Sequence, residues 1–149
     1  MHIRLALLVA LATLSLGACS RDCAPQVRDG WIRLLPGSTQ SASGSMQAGF
    51  GRIDNRCPMP ATIVSTSSAA YGHVALHESK VVDGVSRMRA VPELRLAPDG
   101  SAVLQPGGLH LMLMEPTATL KPGSRVAIEF TLKDGRLVLG EFEARKPAP

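Results

Sequence analysis

Residues 77–114 read HESKVVDGVSRMRAVPELRLAPDGSAVLQPGGLHLMLM and carry two of the four histidines and three of the six methionines of the chain. Four of these side chains, His77, Met88, His110 and Met112, are separated by ten residues, then twenty-one, then one. Two imidazoles and two thioethers form a soft, uncharged ligand set, which favours Cu(I) over hard ions such as Mg²⁺ or Ca²⁺. The stretch therefore predicts a copper site, provided that the fold brings the four side chains together.

The first two candidate ligands flank a predicted β-hairpin. Asp83 and Gly84 suit a two-residue type I′ turn because both residues tolerate positive φ. Counting back from this turn gives a register in which four side chains share one face: His77, Ser79, Met88 and Ala90. His77 and Met88 are then diagonal neighbours, roughly 7–8 Å apart at the backbone. On the opposite face the same register places Glu78 across from Arg89, a favourable charge pair.

The last two candidate ligands lie on a predicted strand. Residues 109–114 alternate strictly after the turn-forming residues 106–108. The alternation directs three leucines towards a core and leaves three side chains on the other side: His110, Met112 and Met114. A common site requires this strand to lie beside the hairpin, which the sequence alone does not establish.

The ligand spacing and the strings HE, DGVSRMRAV and PGGLHLMLM resemble the periplasmic copper chaperones of the PCu(A)C family. The resemblance extends from a strand at residues 27–35, which contains Trp31 and Arg33, to the final hairpin. Ser79 stands where many relatives carry a further methionine. Met114, as an auxiliary ligand, or Met46 is a candidate substitute for that thioether.

The resemblance implies a fold, a cargo and partners. The fold is an all-β, cupredoxin-like Greek-key sandwich or barrel, and the cargo is Cu(I) bound at an exposed rim. The implied function is copper delivery towards the dinuclear copper centre of cytochrome c oxidase. The implied partners are a Sco-like chaperone and the oxidase subunit that holds this centre, or other periplasmic proteins that donate or accept copper.

The opening of the chain resembles a secretory signal. Arg4 precedes an apolar run at residues 5–16, which is shorter than the roughly 20 apolar residues of a transmembrane helix. The sequence LGAC at residues 16–19 resembles a bacterial lipobox, so we predict lipidation of Cys19. Ordinary cleavage nearby, for instance after Gly17, is the alternative. Ser20 favours the outer membrane if the host is Gram-negative, which would anchor the protein facing the periplasm.

The resulting organisation has one folded domain. Removing the signal leaves enough residues to bury a single core, and the sequence contains no internal repeat. The predicted segments are a lipoprotein-type signal peptide (1–18), an anchor and linker (19–26), a PCu(A)C-like copper-binding domain (27–145) and a tail (146–149).

The two cysteines that remain after lipidation are Cys23 and Cys57. In an oxidising compartment such a pair usually forms a disulfide, so we predict a Cys23–Cys57 bond. Redox or metal chemistry at the thiols is the alternative, but their wide separation differs from any compact CxxC motif.

Strand-like segments separated by Gly and Pro turns predict nine or ten short strands in a β-sandwich or partly open barrel. No window has a convincing helical period. A final hairpin is predicted to turn at Asp134 and Gly135. This turn would pair Leu132 with Leu137, and Phe130 with Leu139, on one apolar face. Trp31 is expected to anchor the core.

Composition and residue types disfavour several function classes. The formal charge is +4, with one Trp and one Tyr and no basic cluster, which gives little support for nucleic-acid binding. No Ser/His/Asp set, carboxylate pair or phosphate loop indicates an enzyme. A blue-copper carrier needs a Cys thiolate, yet all three cysteines precede the His/Met cluster. A structural zinc site would not normally use thioethers.

Single Met and His residues also have ordinary structural explanations. An isolated Met is usually core or loop packing, which is the expectation for Met46 and Met59. His73 lies roughly 13 Å along the strand from His77, too far for direct ligation of the same ion. The alternative function is an outer-membrane β-sandwich interaction lipoprotein with no metal role, whose Met and His side chains merely pack.

Overall fold

A computed structural model describes residues 23–35 and 46–146, which form an all-β structure. These residues contain no helix, and hence none that is long and apolar enough to cross a bilayer. The ten strands are β1 (Gln26–Arg33), β2 (Met46–Asn55), β3 (Ala61–Ser67), β4 (Tyr71–Val82), β5 (Val85–Ala90), β6 (Leu94–Leu96), β7 (Gly100–Leu104), β8 (Leu109–Pro116), β9 (Arg125–Leu132) and β10 (Leu137–Arg145).

Seven of these strands close into a barrel in the order β4-β8-β2-β1-β10-β9-β3. The barrel closes where Thr66 of β3 pairs with Val74 of β4. Strands β1 and β10 are parallel, and the other pairings are antiparallel. Strands β5, β6 and β7 are added beside β4, β3 and β2, respectively. The predicted all-β architecture is confirmed.

The core consists of every second side chain along the barrel strands. Burial of each large apolar side chain contributes roughly 1.5–3 kcal/mol, so the alternation along the strands determines which face turns inwards. Leu111 and Leu113 of β8 are fully buried, as predicted, which leaves His110 and Met112 on the outer face. The core residues with no exposed surface include Ile32, Leu111, Leu113, Ile128, Phe130 and Phe142.

The predicted register of the final hairpin is wrong by one residue. Phe130 pairs with Val138, and Leu137 and Leu139 are exposed rather than part of an apolar face. The cause is a longer loop, in which the Gly135 amide donates to the Leu132 carbonyl and only Gly135 has a positive φ, of 86°. This is a type I turn followed by a left-handed glycine, not a type I′ turn.

The structure contains the Cys23–Cys57 disulfide at one end of the barrel. The Arg136 guanidinium donates to the Cys23 carbonyl, which holds the start of the described chain against β10. A groove of about 710 Å³ lies beside the bond, lined in part by Pro25, Pro58 and Met59. The predicted signal peptide, the predicted lipidation site Cys19 and residues 147–149 of the predicted tail lie outside the described residues.

Candidate metal centre

The ligand hairpin has the register that the sequence predicts. Strand β4 pairs with β5 so that His77 lies opposite Ala90, and Ser79 lies opposite Met88. The turn residues Asp83 and Gly84 both have positive φ, of 52° and 76°, as a type I′ turn requires. Ser79 and Met88 therefore project from the same face of the hairpin as His77.

Strand β8 lies directly beside β4, which brings the two candidate histidines together. His77 pairs with His110, and the centroids of their rings are 6.3 Å apart with an interplanar angle of 29°. The two imidazoles are therefore close enough to bind one ion between or above them. The sequence alone did not establish that β8 lies beside the hairpin, and the structure shows that it does.

His110 has a hydrogen bond that prepares it as a ligand. Its side chain is 7% exposed, and its Nδ1 lies 2.9 Å from the Gly108 carbonyl oxygen. A carbonyl only accepts, so Nδ1–H donates and Nε2 keeps its lone pair. Metal-binding histidines commonly have such a second hydrogen bond, which fixes the tautomer and the ring orientation.

His77 has a buried nitrogen without a partner. Its Nδ1 is shielded from solvent and makes no hydrogen bond within residues 23–35 and 46–146. Leaving a buried polar atom unsatisfied costs about 1–3 kcal/mol, so such an atom needs an explanation. A metal ion bound to the lone pair of this nitrogen would provide that explanation. The donor set therefore fits a bound cation.

The two candidate thioethers approach the histidine pair from opposite directions. Met112 lies two residues beyond His110 on β8 and pairs with Ala48 and Ala75, whose small side chains leave it space. Met88 lies on the other side of the pair, on the edge strand β5, and is 53% exposed. At about 3.3 Å per residue and 4.8 Å per strand, the two methionine backbones would be about 16 Å apart on a flat sheet.

Met112 therefore lies next to the histidine pair, whereas Met88 lies farther from it. The strong twist of two-stranded ribbons can shorten the distance between Met88 and the histidines. Among the described residues, no three His, Cys, Asp or Glu side chains form a group that could hold a metal ion. Met112 and Met88 are the thioethers that lie nearest to the histidine pair along these strands.

An aromatic group that the sequence analysis missed flanks His110. Phe50 of β2 lies 6.5 Å from the His110 ring and 4.7 Å from Trp31, measured between centroids. The Arg33 guanidinium carbon covers this pair, 4.8 Å from the Phe50 ring and 5.9 Å from the Trp31 ring. The alternation of β2 assigns Phe50 to the face of Ala48, but only the strand order places that face beside His110.

The expectation that Trp31 anchors the core is wrong. Trp31 is half-buried on the outer face, where it pairs with Phe50, and the barrel core does not include it. A β-bulge between Arg28 and Trp31, at which Asp29 has a φ of 52°, shifts the register of β1. Bulges redirect side chains in this way and are frequent beside functional sites.

The opposite face of the hairpin carries the predicted charge pair. Glu78 accepts a hydrogen bond from Arg89 at 2.7 Å, and Lys80 lies 3.3 Å from the same carboxylate. The Arg89 hydrogen bond, with a smaller contribution from Lys80, lowers the pKa of Glu78 despite some desolvation. Because these charges lie on the face away from His77, the ribbon directs only neutral donors towards the histidine pair.

Met114 lies on the same outer face, two residues beyond Met112. It pairs with His73 of β4 on one side and with Met46 of β2 on the other. Met114 is therefore about 13 Å along β8 from His110, too far to be a ligand in the first group of donors.

Comparisons with known proteins extend this description. Residues 26–142 match the model of the family described as "Putative lipoprotein LpqE-like". The chain belongs to the LpqE-like family. It is also 31% identical over 111 residues to the "Putative lipoprotein Lxx21020" of Leifsonia xyli subsp. xyli (strain CTCB07). That match covers 74% of this chain and 63% of the relative, so the chain spans less than two thirds of the relative's length.

Similar solved structures are PCuAC domains. The "Copper-bound PCuAC domain from PmoF2" gives a TM-score of 0.62 at 15% identity, covering 83% of this chain and 93% of that one. Apo-DR1885 from Deinococcus radiodurans gives 0.62 at 22% identity, covering 99% and 95%. The Cu(I) form of DR1885 gives 0.57 at 23% identity, covering 80% and 78%. These likenesses confirm the predicted resemblance at the level of the fold.

Proposed function

We propose that this LpqE-like protein is a copper chaperone that binds Cu(I) through His77, His110, Met112 and Met88. The observation that carries the proposal is the direct pairing of two histidines. One has a fixed tautomer, and the other has a buried nitrogen with no hydrogen-bond partner in the described part of the chain. Neutral nitrogen and sulphur donors suit monovalent copper. The copper-bound forms of two proteins with this fold support the same cargo.

Transfer of the cargo follows from the unequal exposure of the donors. His110 is buried and held by the Gly108 carbonyl, whereas Met88 is 53% exposed on an edge strand. Met88 is thus the donor that an incoming ligand from a partner replaces first. The histidines and Met112 hold Cu(I) until further ligands of the partner exchange with them.

The proposed location is the cell envelope. The family and the Leifsonia relative are both described as putative lipoproteins, in keeping with a lipid on Cys19 after removal of the signal peptide at residues 1–18. Residues 19–26 would then link the anchor to the copper-binding domain of residues 27–145. Two or more acyl chains suffice for stable membrane attachment. The proposed destination is the outer membrane, with the domain in the periplasm.

The proposed recipient is the dinuclear copper centre of cytochrome c oxidase, reached directly or through a Sco-like chaperone. The support for this recipient is the resemblance of the ligand motif to PCu(A)C chaperones. A transfer assay tests it: Cu(I)-loaded chain is mixed with the isolated oxidase subunit, and copper is measured on each protein after separation. Transfer to neither the subunit nor a Sco-like protein would remove this recipient from the proposal.

Titration with Cu(I) under anaerobic conditions, with ascorbate as reductant so that the disulfide stays intact, tests the binding function. We expect tight binding that the Met88→Ala/Met112→Ala double variant weakens strongly. Met59→Ala, which removes an exposed thioether at the other end of the barrel, is the matched control and should bind as the wild type does. No binding, or equal binding by the double variant, would favour an interaction lipoprotein without a metal role.

A further inference from the structure

A second row of soft donors crosses three adjacent strands of the barrel. Met114 of β8 is directly paired with His73 of β4 and with Met46 of β2. Directly paired residues have Cβ atoms about 4.5–5.5 Å apart and project from the same face. The three side chains therefore stand side by side on the outer face, with Met114 in the centre.

The reach of these side chains suits one ion above Met114. His73 and Met46 are two strands apart, roughly 10 Å at about 4.8 Å per strand. An imidazole and a flexible thioether that lean inwards from the two sides can meet over the central Met114. We propose that His73, Met114 and Met46 form a second site for Cu(I), separate from the first.

Packing does not account for this row. Met46 is 57% exposed, His73 is exposed, and Met114 is half-buried, so none of the three fills the core. His73 makes no hydrogen bond to another described residue, so the unprotonated nitrogen of its ring is available to a metal ion. The row consists of one imidazole and two thioethers, a soft donor set that suits monovalent rather than hard ions.

The second row is distinct from the first but connected to it. His73 lies four residues before His77 on β4, roughly 13 Å away along the strand. Met112 lies halfway, two residues from His110 and two from Met114, and is flanked by Ala48 and Ala75. A thioether with such small neighbours can turn towards either row. The outer face therefore has potential copper donors at intervals of about 7 Å along β8.

Stoichiometry tests the second site. The full chain, purified in detergent, is titrated with Cu(I) against a competing Cu(I) chelator under anaerobic conditions. We expect two equivalents of copper, of which the second binds more weakly because its site is exposed. Met46→Leu/Met114→Leu should reduce two equivalents to one, whereas Met59→Leu should retain two. One equivalent in the wild type, or two in the double variant, would overturn the second site.

Spectroscopy of the unsubstituted protein provides a test that does not depend on folding of the variants. The second equivalent should shift the ε-methyl resonances of Met46 and Met114 and the ring resonances of His73. Shifts confined to Met88, Met112 and the other histidines would contradict the proposal. In His77→Ala/His110→Ala the first equivalent alone should disappear. If this variant instead still binds two equivalents, the proposed site at His77 and His110 is wrong, whereas the second site is unaffected.

Discussion

His77 of β4 and His110 of β8 are paired directly across adjacent strands, with their ring centroids 6.3 Å apart. Residues far apart in the sequence thus place two nitrogen donors at one point on the outer face of the barrel. His110 is held by the Gly108 carbonyl, and the Nδ1 of His77 is buried and makes no hydrogen bond to another described residue. The fold itself therefore places the two nitrogen donors side by side.

Loss of either histidine should weaken Cu(I) binding more than loss of the exposed thioether. We expect His77→Ala and His110→Ala each to lower the affinity by more than the roughly 10–100-fold that loss of an outer hydrogen-bond partner typically costs. Met88→Leu should have a smaller effect and should mainly accelerate release. Competition with a Cu(I) chelator measures the affinity, and stopped-flow transfer to that chelator measures the release rate. An equal effect of Met88→Leu and His110→Ala would contradict the unequal roles.

Acid should release the copper. An imidazole nitrogen must be unprotonated to bind a metal, so protons compete with Cu(I) for both histidines. Thioethers do not titrate, so the two histidines alone make the affinity fall as the pH decreases. Chelator competition between pH 7.5 and 5 should show this decrease, approaching about two powers of ten per pH unit at the acid end. A constant affinity over this range would contradict ligation by both histidines.

Tyr71, the only tyrosine in the chain, should resist ionisation in the folded state. Its hydroxyl donates to the Gln47 side chain, and burial raises the pKa of Tyr71. Stability from the neutral phenol is therefore complete below the unfolded pKa of about 10 and declines as the pH rises above it. The phenolate absorbance should be absent from the folded chain at pH 10.5 and present in urea. An absorbance midpoint near pH 10 in both states would contradict this prediction.

The matched variant Tyr71→Phe removes the hydroxyl but keeps the ring. We expect a loss of about 1 kcal/mol in the free energy of unfolding at neutral pH, because one buried hydrogen bond is removed. The alkaline decline in stability should become shallower in this variant. Urea unfolding at pH 7 and at pH 10.5 measures both effects.

Removal of the disulfide should destabilise the barrel without changing the metal site. The Cys23–Cys57 bond closes a loop with a sequence separation of 34, which the chain-entropy model equates with about 3–4 kcal/mol. Cys57 lies seven residues beyond Phe50, roughly 23 Å along the extended chain, so we expect unchanged Cu(I) affinity in Cys23→Ala/Cys57→Ala. Urea unfolding gives the stability. An unchanged unfolding midpoint would show that the bond contributes nothing.

Local turn chemistry could be predicted for one hairpin but not for the other. The dipeptide Asp-Gly occurs at both turns, and only Asp83 and Gly84 form the type I′ turn. At the second turn the side chain of Asp134 accepts a hydrogen bond from the Arg136 amide, which stabilises a longer loop. The dipeptide is the same, so the choice depends on the flanking residues and on how the barrel closes.

Strand order was beyond prediction from residue patterns. The alternation of β8 identified His110, Met112 and Met114 as one face, and β2 likewise presents Met46, Ala48 and Phe50. Only the order β4-β8-β2 aligns these faces into rows, and this order arises from long-range packing. The bulge that brings Trp31 beside Phe50 is another long-range effect, because it shifts the register of β1 against β2.

X-ray absorption at the copper edge tests the central claim most directly. The test uses the Met46→Leu/Met114→Leu background, in which the second site is absent. In this background, loaded with one equivalent of Cu(I), we predict two nitrogen and two sulphur neighbours, and adding Met88→Ala/Met112→Ala should remove the sulphur scattering. Adding Met59→Ala instead should leave the spectrum unchanged. A copper environment of nitrogen and oxygen alone, or sulphur scattering that persists after Met88→Ala/Met112→Ala is added, would contradict the account.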